Sequence, residues 1–417
     1  MDELKNSGFR GLKWLERYTK TDMIYLAKGG FWLGIGQVIA SGSAFITSIV
    51  FANLLLPDTY GIYKYVLSIY GLLTISTLSG MDSAVTQATA RGFEGTLRPA
   101  IKEKMKWGLL GSIVSIVLAV YYLTKGNTVL SISLCIVAFF VPLAESFDMY
   151  NSLLWGKKLF KTQVNYNVIK KIISLVAITA TIFLTNNIFY IVLVYFASMV
   201  IPNYIILKII EKNKQENTNV DPEAIGYGKH LSLAYIISTA LSELDKILVF
   251  QYVGAKDLAI YTLAVAPNDQ IKGLFKNINS LAMPKFSERT TEEIKKSIWH
   301  KVRILALSMG VVVLAYIVIS PYFYTVFFPK YIASIKYSQI LSVSLIPVVI
   351  SGFIYTVLES QKAKKEIYEY NLYGNVVGIV ILFPLVYYYG IWGAIFSRVI
   401  TRFFSLGLST FLIKKMN

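Results

Sequence analysis

Charge is what this 417-residue chain has least of: only 16% of its residues are charged, against 55% hydrophobic. A soluble chain of that composition could not cover its apolar surface with one core, so lipid must be the solvent for most of it. Cysteine is nearly absent too. Cys135 stands alone, which excludes an internal disulfide and any thiolate metal cluster. The two histidines, His230 and His300, have no carboxylate or cysteine at metal-ligand spacing, so no metal is expected and both read as interfacial. No nucleophile elbow, phosphate loop or paired-carboxylate motif is present, which argues against an enzyme. Polar sequence is scarce as well. No outward-facing connection exceeds roughly 15 residues, so there is no material for the large outer domain that membrane glycosyltransferases and polymerases use. Residues 1–28 are charged throughout and the first apolar run is too long for cleavage, so no signal peptide is expected.

What the chain does have is long uncharged runs: Gly29 to Pro57, Trp107 to Thr124, Gly126 to Ala144, Ile172 to Leu207, Ile304 to Pro329, Tyr337 to Leu358 and Tyr370 to Ser397. Each is near or above the ~18 to 20 residues that cross a hydrocarbon core. Asn186-Asn187 and Tyr389-Gly390 break the runs beginning at Ile172 and Tyr370, so each of those folds back as two helices. The reading is an all-α integral membrane protein with about twelve transmembrane helices in two six-helix lobes around a central cavity. Spans are expected near 29–56, 61–84, 105–124, 127–153, 164–185, 188–209, 229–253, 258–283, 301–320, 335–358, 367–387 and 391–413.

Lys and Arg test this threading, because cytoplasmic loops hold the excess of positive charge. Of 41 basic residues, 29 fall on one face, four on the other (Lys125, Lys256, Lys330, Lys336) and eight within spans. Both termini are therefore expected in the cytoplasm. The formal net charge of +17 then reflects insertion and anionic lipid rather than nucleic acid. Phe9, Leu12, Leu15 and Tyr18 among basic residues suggest a short interfacial helix in segment 1–28.

The polar stretch Glu211 to Gly228 reads as a cytoplasmic linker at 211–228 between an N-terminal lobe, 29–210, and a C-terminal lobe, 229–417. A short echo supports two repeats: Val50-Phe51-Ala52-Asn53-Leu54 leads to Gly61-Ile62-Tyr63, and Val249-Phe250-Gln251-Tyr252-Val253 leads to Ala259-Ile260-Tyr261. Parallel six-plus-six repeats suit alternating access, in which lobes rock about a central site.

Ionisable side chains inside spans cost about 2.5–3.5 kcal/mol each on insertion scales, so they must face a wet cavity or one another. Asp269, Lys272 and Lys276 share a face of the eighth span, Arg398, Arg402 and Ser405 a stripe on the twelfth, and Glu145, Asp148 and Ser152 one on the fourth. Glu243 and Lys246 stand three apart on the seventh, able to pair there or reach Asp269. Lys246, Lys272, Lys276, Arg398 and Arg402 are the candidate cations for an anionic group such as phosphate. Glu145, Asp148, Glu243, Asp245 and Asp269 are the acidic cavity candidates, and for Glu145 and Asp148 proton or cation coupling and simple pairing stay open. Lys64, Asp82, Lys170 and Lys171 read as structural pairs or as side chains snorkelling to an interface.

The sequence resembles the polysaccharide and oligosaccharide flippases (Wzx-like) of the multidrug/oligosaccharidyl-lipid/polysaccharide (MOP) exporter superfamily. The matching pieces are Leu54-Leu55-Leu56-Pro57-Asp58-Thr59-Tyr60-Gly61-Ile62-Tyr63, Glu243-Leu244-Asp245-Lys246-Ile247-Leu248-Val249 through Ile260-Tyr261, Pro284-Lys285-Phe286-Ser287-Glu288, and Tyr389-Gly390-Ile391-Trp392-Gly393-Ala394. The resemblance implies export of an undecaprenyl-pyrophosphate oligosaccharide from the cytoplasmic to the outer leaflet of a bacterial membrane, with Asp245 and Lys246 at the family's charged motif. It implies lipid-linked oligosaccharide and membrane lipids as partners, with a polysaccharide polymerase and chain-length machinery downstream, and no cofactor beyond proton or membrane-potential coupling. A multidrug or small-molecule exporter of the same superfamily is the runner-up, ahead of a polymerase or a non-transporting scaffold. A drug site favours an acidic, aromatic cavity, and this one is rich in cations.

Overall fold

The computed structural model describes residues 23–287, 291–361 and 363–416, with side chains described except at 23–31, 33, 274, 276–285, 287, 291, 295 and 296. The proposed interfacial helix around Phe9 to Tyr18 lies outside the described residues.

The helices run in chain order as α1 (Met23–Leu54), α2 (Pro57–Leu73), α3 (Met81–Ala90), α4 (Leu97–Thr124), α5 (Thr128–Phe147), α6 (Tyr150–Gly156), α7 (Phe160–Leu184) and α8 (Ile188–Asn213). They continue as α9 (Ala224–Tyr252), α10 (Ala255–Ser287), α11 (Thr291–Phe327), α12 (Ser334–Val343), α13 (Leu345–Ser360) and α14 (Lys364–Lys415). In α14 the chain reverses at Gly390, whose φ of 56° and ψ of −129° suit a residue without a side chain. Pairing α2 with α3, α5 with α6 and α12 with α13 as broken spans gives twelve crossings among the described residues.

Among the described residues, eight helical stretches are long and apolar enough to cross a membrane, and one of them, α14, crosses twice. The other three crossings are α2 with α3, α9 and α10. They carry Lys64 and Asp82, Glu243, Asp245 and Lys246, and Asp269, Lys272 and Lys276. The helices that are poor membrane spans by composition are thus those the others must shield from lipid.

The shielding follows ordinary helix periodicity. On α11, Leu307, Val311, Leu314 and Val318 are 65–73% exposed and form a lipid-facing stripe, while Met309, Val313, Ser320 and Tyr324 are buried behind it. On α4, Gly108, Gly111, Ser115 and Ala119 are buried against α5, the small-residue seam that lets two helices approach in lipid.

Helices α1–α8 pack among themselves, as do α9–α14, and the two sets meet where α2 packs on α9 and α10 and α3 packs on α9. The contact is tightest at the face poor in basic residues. A Cβ on Gly61 would lie 1.8 Å from the Ala255 carbonyl oxygen, so a side chain there is incompatible with this approach. Nearby, Asn53 Nδ2 donates to the Phe327 carbonyl at 2.8 Å and Lys330 Nζ to the Asn53 carbonyl at 2.6 Å. Tyr65 stacks on Phe250 at 3.8 Å between ring centres. These contacts seal the two sets together on that face.

On the opposite, basic face the segment joining α8 to α9 is held against the first set of helices. The Glu94 carboxylate accepts from Lys157 Nζ at 2.9 Å and from the Glu216 backbone N–H at 2.6 Å. Lys157 also reaches the Lys214 carbonyl at 2.7 Å and the Glu216 carboxylate at 2.9 Å. The Asp221 N–H donates to Thr96 Oγ1 at 2.9 Å, and its carboxylate pairs with Arg91. Partial burial alone would lower the Lys157 pKa, but the hydrogen bonds and charges of Glu216 and Glu94 outweigh it and hold Lys157 above the ordinary lysine value.

Candidate functional site

The charged side chains of the weakly apolar spans converge on three connected cavities. The first, about 680 Å³, lies within α1–α8 and includes Lys64, Glu145, Asp148, Lys170 and Lys171 in its wall. The second, about 340 Å³, bridges the two sets, bounded by Lys64 and Leu67 on one side and Glu243, Lys246, Asp269 and Arg398 on the other. The third, about 500 Å³, lies within the second set, with Lys272 and Arg402 added to those ions. Lys64 and Leu67 are common to the first and second, and Glu243, Lys246, Asp269 and Arg398 to the second and third. One polar path therefore crosses from one lobe to the other.

In the second lobe, Lys246 Nζ lies 2.5 Å from Glu243 Oε2, one helical turn back on α9. Arg398 is held 2.5 Å from Asp245 Oδ2, which also accepts from Tyr261. Asp269 sits 3.7 Å from Arg398 and 3.6 Å from Arg402. Arg402 donates to Ser344 Oγ at 2.8 Å, at the junction of α12 and α13. Three of the four cations of this cavity, Lys246, Arg398 and Arg402, thus face its three carboxylates. Asp245, 3% exposed, is a buried charge neutralised by Arg398, whose Nε and Nη2 both reach its Oδ2. Of the sequence-selected residues the structure brings together Glu243, Asp245, Lys246, Asp269, Lys272, Arg398 and Arg402, while the side chain of Lys276 lies outside the described residues.

Glu145 and Asp148 belong to the first-lobe cavity. Glu145 accepts from Tyr70 Oη at 2.9 Å. Asp148 caps the end of α5 and pairs with Lys170 at 2.6 Å, and Lys170 reaches Asn203 Oδ1 at 2.9 Å. Lys170 therefore points into the cavity instead of snorkelling to an interface. Asp82 is likewise tied inward, by Lys104 at 3.0 Å. Lys104 stands just outside the span expected near 105–124, among the basic residues of the cytoplasmic face. It is instead buried on α4, 1% exposed, and the signal for it in the sequence was Asp82, which needed a cation. His230 and His300 are exposed.

Lys64 is the position that the sequence under-read. It lies two turns into α2, too deep to snorkel, and no carboxylate among the described residues comes within 4 Å of its ammonium. Its neighbours are the faces of Tyr60 and Tyr63, 5.2 and 5.9 Å from the ring centres. Across the gap, Gly71 of α2 makes room for Glu243, since a Cβ there would lie 2.9 Å from the Glu243 carboxyl carbon. Among the described residues, Lys171 in the first cavity also lacks a carboxylate within that distance.

This two-lobed helical architecture, with a charged path between its halves, shares its fold with solved transporters of the MOP superfamily. It is similar to the lipid II flippase MurJ in an inward closed conformation, with a TM-score of 0.66 at 14% identity over 93% of this chain and 87% of that one. It is also similar to an inward-facing multidrug resistance MATE transporter, TM-score 0.59 at 13% identity over 91% and 95% of the two chains. A MOP superfamily transporter from Pyrococcus furiosus, described by the reverse polarity of its binding pocket, gives a TM-score of 0.56 at 13% identity over 94% and 96%. The sequence then fixes the family. Residues 26–290 match the polysaccharide biosynthesis protein family, and the chain belongs to it. An uncharacterized membrane protein of Methanocaldococcus jannaschii is 21% identical over 353 residues, 76% of this chain and 69% of that protein.

Proposed function

We propose that this protein is a flippase that moves a lipid-linked oligosaccharide, an undecaprenyl-pyrophosphate glycan, from the cytoplasmic to the outer leaflet of a bacterial cytoplasmic membrane by alternating access. The observation that carries this reading is Lys64, a cation without a carboxylate partner among the described residues, in the wall shared by a cavity of the first lobe and the bridging cavity. A diphosphate has the charge and the acceptor oxygens to engage that ammonium, and the isoprenoid tail stays in the bilayer. The paired ions of the second lobe supply exchangeable partners: an incoming phosphate competes with Glu243 for Lys246 and with Asp269 for Arg402. The seal at the poorly charged face and the basic residues of the other face fit a state closed to the outside, with both termini in the cytoplasm. Domains 29–210 and 229–417 then rock about the bridging cavity. Movement is coupled to proton exchange at Glu145, Asp148 or Asp269, or to the membrane potential acting on the anionic headgroup, and the product passes to a polymerase with its chain-length machinery.

Purified protein in liposomes, given a fluorescent undecaprenyl-pyrophosphate oligosaccharide, tests this. Flipping abolished by Lys64→Ala and by Arg402→Ala is the expected result. Absence of flipping by the wild type sinks the proposal. One feature favours a second reading, export of amphiphilic cations: an apolar groove of about 460 Å³ between α1, α10 and α11, bordered by Phe45, Phe323 and Phe328. Uptake of ethidium by the same liposomes, without lipid flipping, decides for it.

A further inference from the structure

The two lobes present different chemistry to the path between them. In the second lobe the wall is ionic, built from Glu243, Lys246, Asp269, Arg398 and Arg402. The first-lobe cavity is larger, and between its charges it is furnished with neutral amides and phenols: Asn151, Gln163, Asn167, Asn203, Tyr63 and Tyr195. At about 680 Å³ it falls inside the range of roughly 300–1,000 Å³ typical of small-molecule sites.

The amides differ in what they have left to offer. Asn203 is committed, accepting from Lys170 and donating towards the Ala144 carbonyl. Asn151 donates to the Asp148 carbonyl and accepts from Asn167 Nδ2 at 3.2 Å. That leaves the Asn167 Oδ1 acceptor without a donor among the described residues. One turn earlier on the same face of α7, Gln163 is 8% exposed, and its Oε1 makes no hydrogen bond among the described residues. An amide oxygen buried without a partner costs on the order of 1–3 kcal/mol, so such a group in a cavity wall implies a donor that arrives with a ligand. Further into the chamber, Tyr63 and Tyr195 meet edge to face with 5.8 Å between ring centres; Tyr63 is buried and stacked on Phe51, so the half-buried Tyr195 supplies the aromatic surface. Unpaired acceptors on one wall and an aromatic ring on another suit a neutral group that carries hydroxyl donors around an apolar ring face. That group is a sugar.

We infer that the first-lobe chamber is the glycan site and that Gln163 and Asn167 read sugar hydroxyls there, while the diphosphate sits at Lys64 and the second-lobe ions. The assignment rests on the flippase reading and adds to it a division of the substrate between the lobes. It makes the first lobe the seat of glycan selectivity and the bridging cavity indifferent to the sugar.

The test measures binding of two probes to full-length protein in nanodiscs: undecaprenyl diphosphate, and undecaprenyl diphosphate carrying an N-acetylhexosamine disaccharide. In the wild type the sugar-bearing lipid binds more tightly. Gln163→Leu and Asn167→Ser each reduce the preference for the sugar-bearing probe by roughly 5- to 10-fold, the equivalent of one or two neutral hydrogen bonds. Lys64→Ala weakens both probes and leaves their ratio intact. Asn167 is half-buried and Ser is a mild replacement, so that variant stands if Gln163→Leu does not fold. A ratio unchanged in both amide variants overturns the glycan site while leaving the flippase standing. A wild type that binds neither probe overturns both.

Discussion

The close approach of Gly61 to Ala255 makes the seal on the poorly charged face sensitive to a single methyl group. In Gly61→Ala the new Cβ would lie 1.8 Å from the Ala255 carbonyl oxygen and 2.4 Å from its carbon. Both are backbone atoms, so no rotamer change relieves the overlap. Restoring a separation of even 3.0 Å requires α2 and α10 to part by about 1.2 Å (3.0 less 1.8) along that line. Because α2 belongs to one lobe and α10 to the other, the movement opens the seal. Overpacking costs about 1–3 kcal/mol, which corresponds to a shift of roughly 5- to 150-fold between closed and open populations. Spin labels at Leu56 and Ile332, both exposed beside the seal, read the change as a longer and broader distance distribution by double electron–electron resonance. The background is Cys135→Ser, which removes the single native thiol. A distribution identical to that of the glycine parent, in protein of unchanged stability, would refute the argument that this contact holds the face shut.

Further outcomes follow from the ion pairs. Arg398→Leu leaves Asp245 buried without its cation and should destabilise the protein by about 3–5 kcal/mol, seen as a lower unfolding temperature in detergent, with partial recovery in Arg398→Leu/Asp245→Leu. Lys64→Arg should retain most flipping where Lys64→Glu loses at least about tenfold, since one charge–phosphate contact is worth roughly 1.5–3 kcal/mol; equal activity of the two variants would remove Lys64 from the path. Glu94→Gln should free the segment 214–223 to limited proteolysis, detected as two fragments on a gel. Lys157 has its pKa raised in the folded protein, so its contribution is fully present below the unfolded lysine value and is lost only as pH rises through the folded one. Protection of that segment should therefore be flat from pH 6 to 9 and fail only in strong alkali.

The spans were legible because lipid imposes one demand, an uninterrupted apolar helix, that composition records directly. The break at Tyr389-Gly390 became the reversal at Gly390. The Asn186-Asn187 break became a turn in which the Asn187 side chain accepts from the Phe189 N–H at 3.0 Å. Pairings were less legible because they join distant positions. Nothing local marks Lys104 as the partner of Asp82, or Lys170 as that of Asp148, and a basic residue near a span end looks the same whether it snorkels outward or turns inward. Glu243 with Lys246 was readable, since one helical turn separates them. The handover at Arg398, shared between Asp245 on α9 and Asp269 on α10, needed three helices in place. Gln163 was invisible for a different reason: an amide four residues from another on a helix is ordinary, and only its want of a partner distinguishes it.

The turns at the poorly charged face have a consequence of their own. Between Leu54 and Pro57, Thr124 and Thr128, Leu184 and Ile188, Tyr252 and Ala255, Phe327 and Ser334, and around Gly390, the chain spends only one to six residues before re-entering the bilayer. In the proposed orientation, with that face outward, a cell displaying this protein would offer almost nothing of it to the surroundings. Proteases, antibodies and phage would meet no loop long enough to grip. Under the rocking of lobes proposed above, an inhibitor delivered from outside would find its foothold in the mouth that opens when the two halves part, and only during that interval of the cycle.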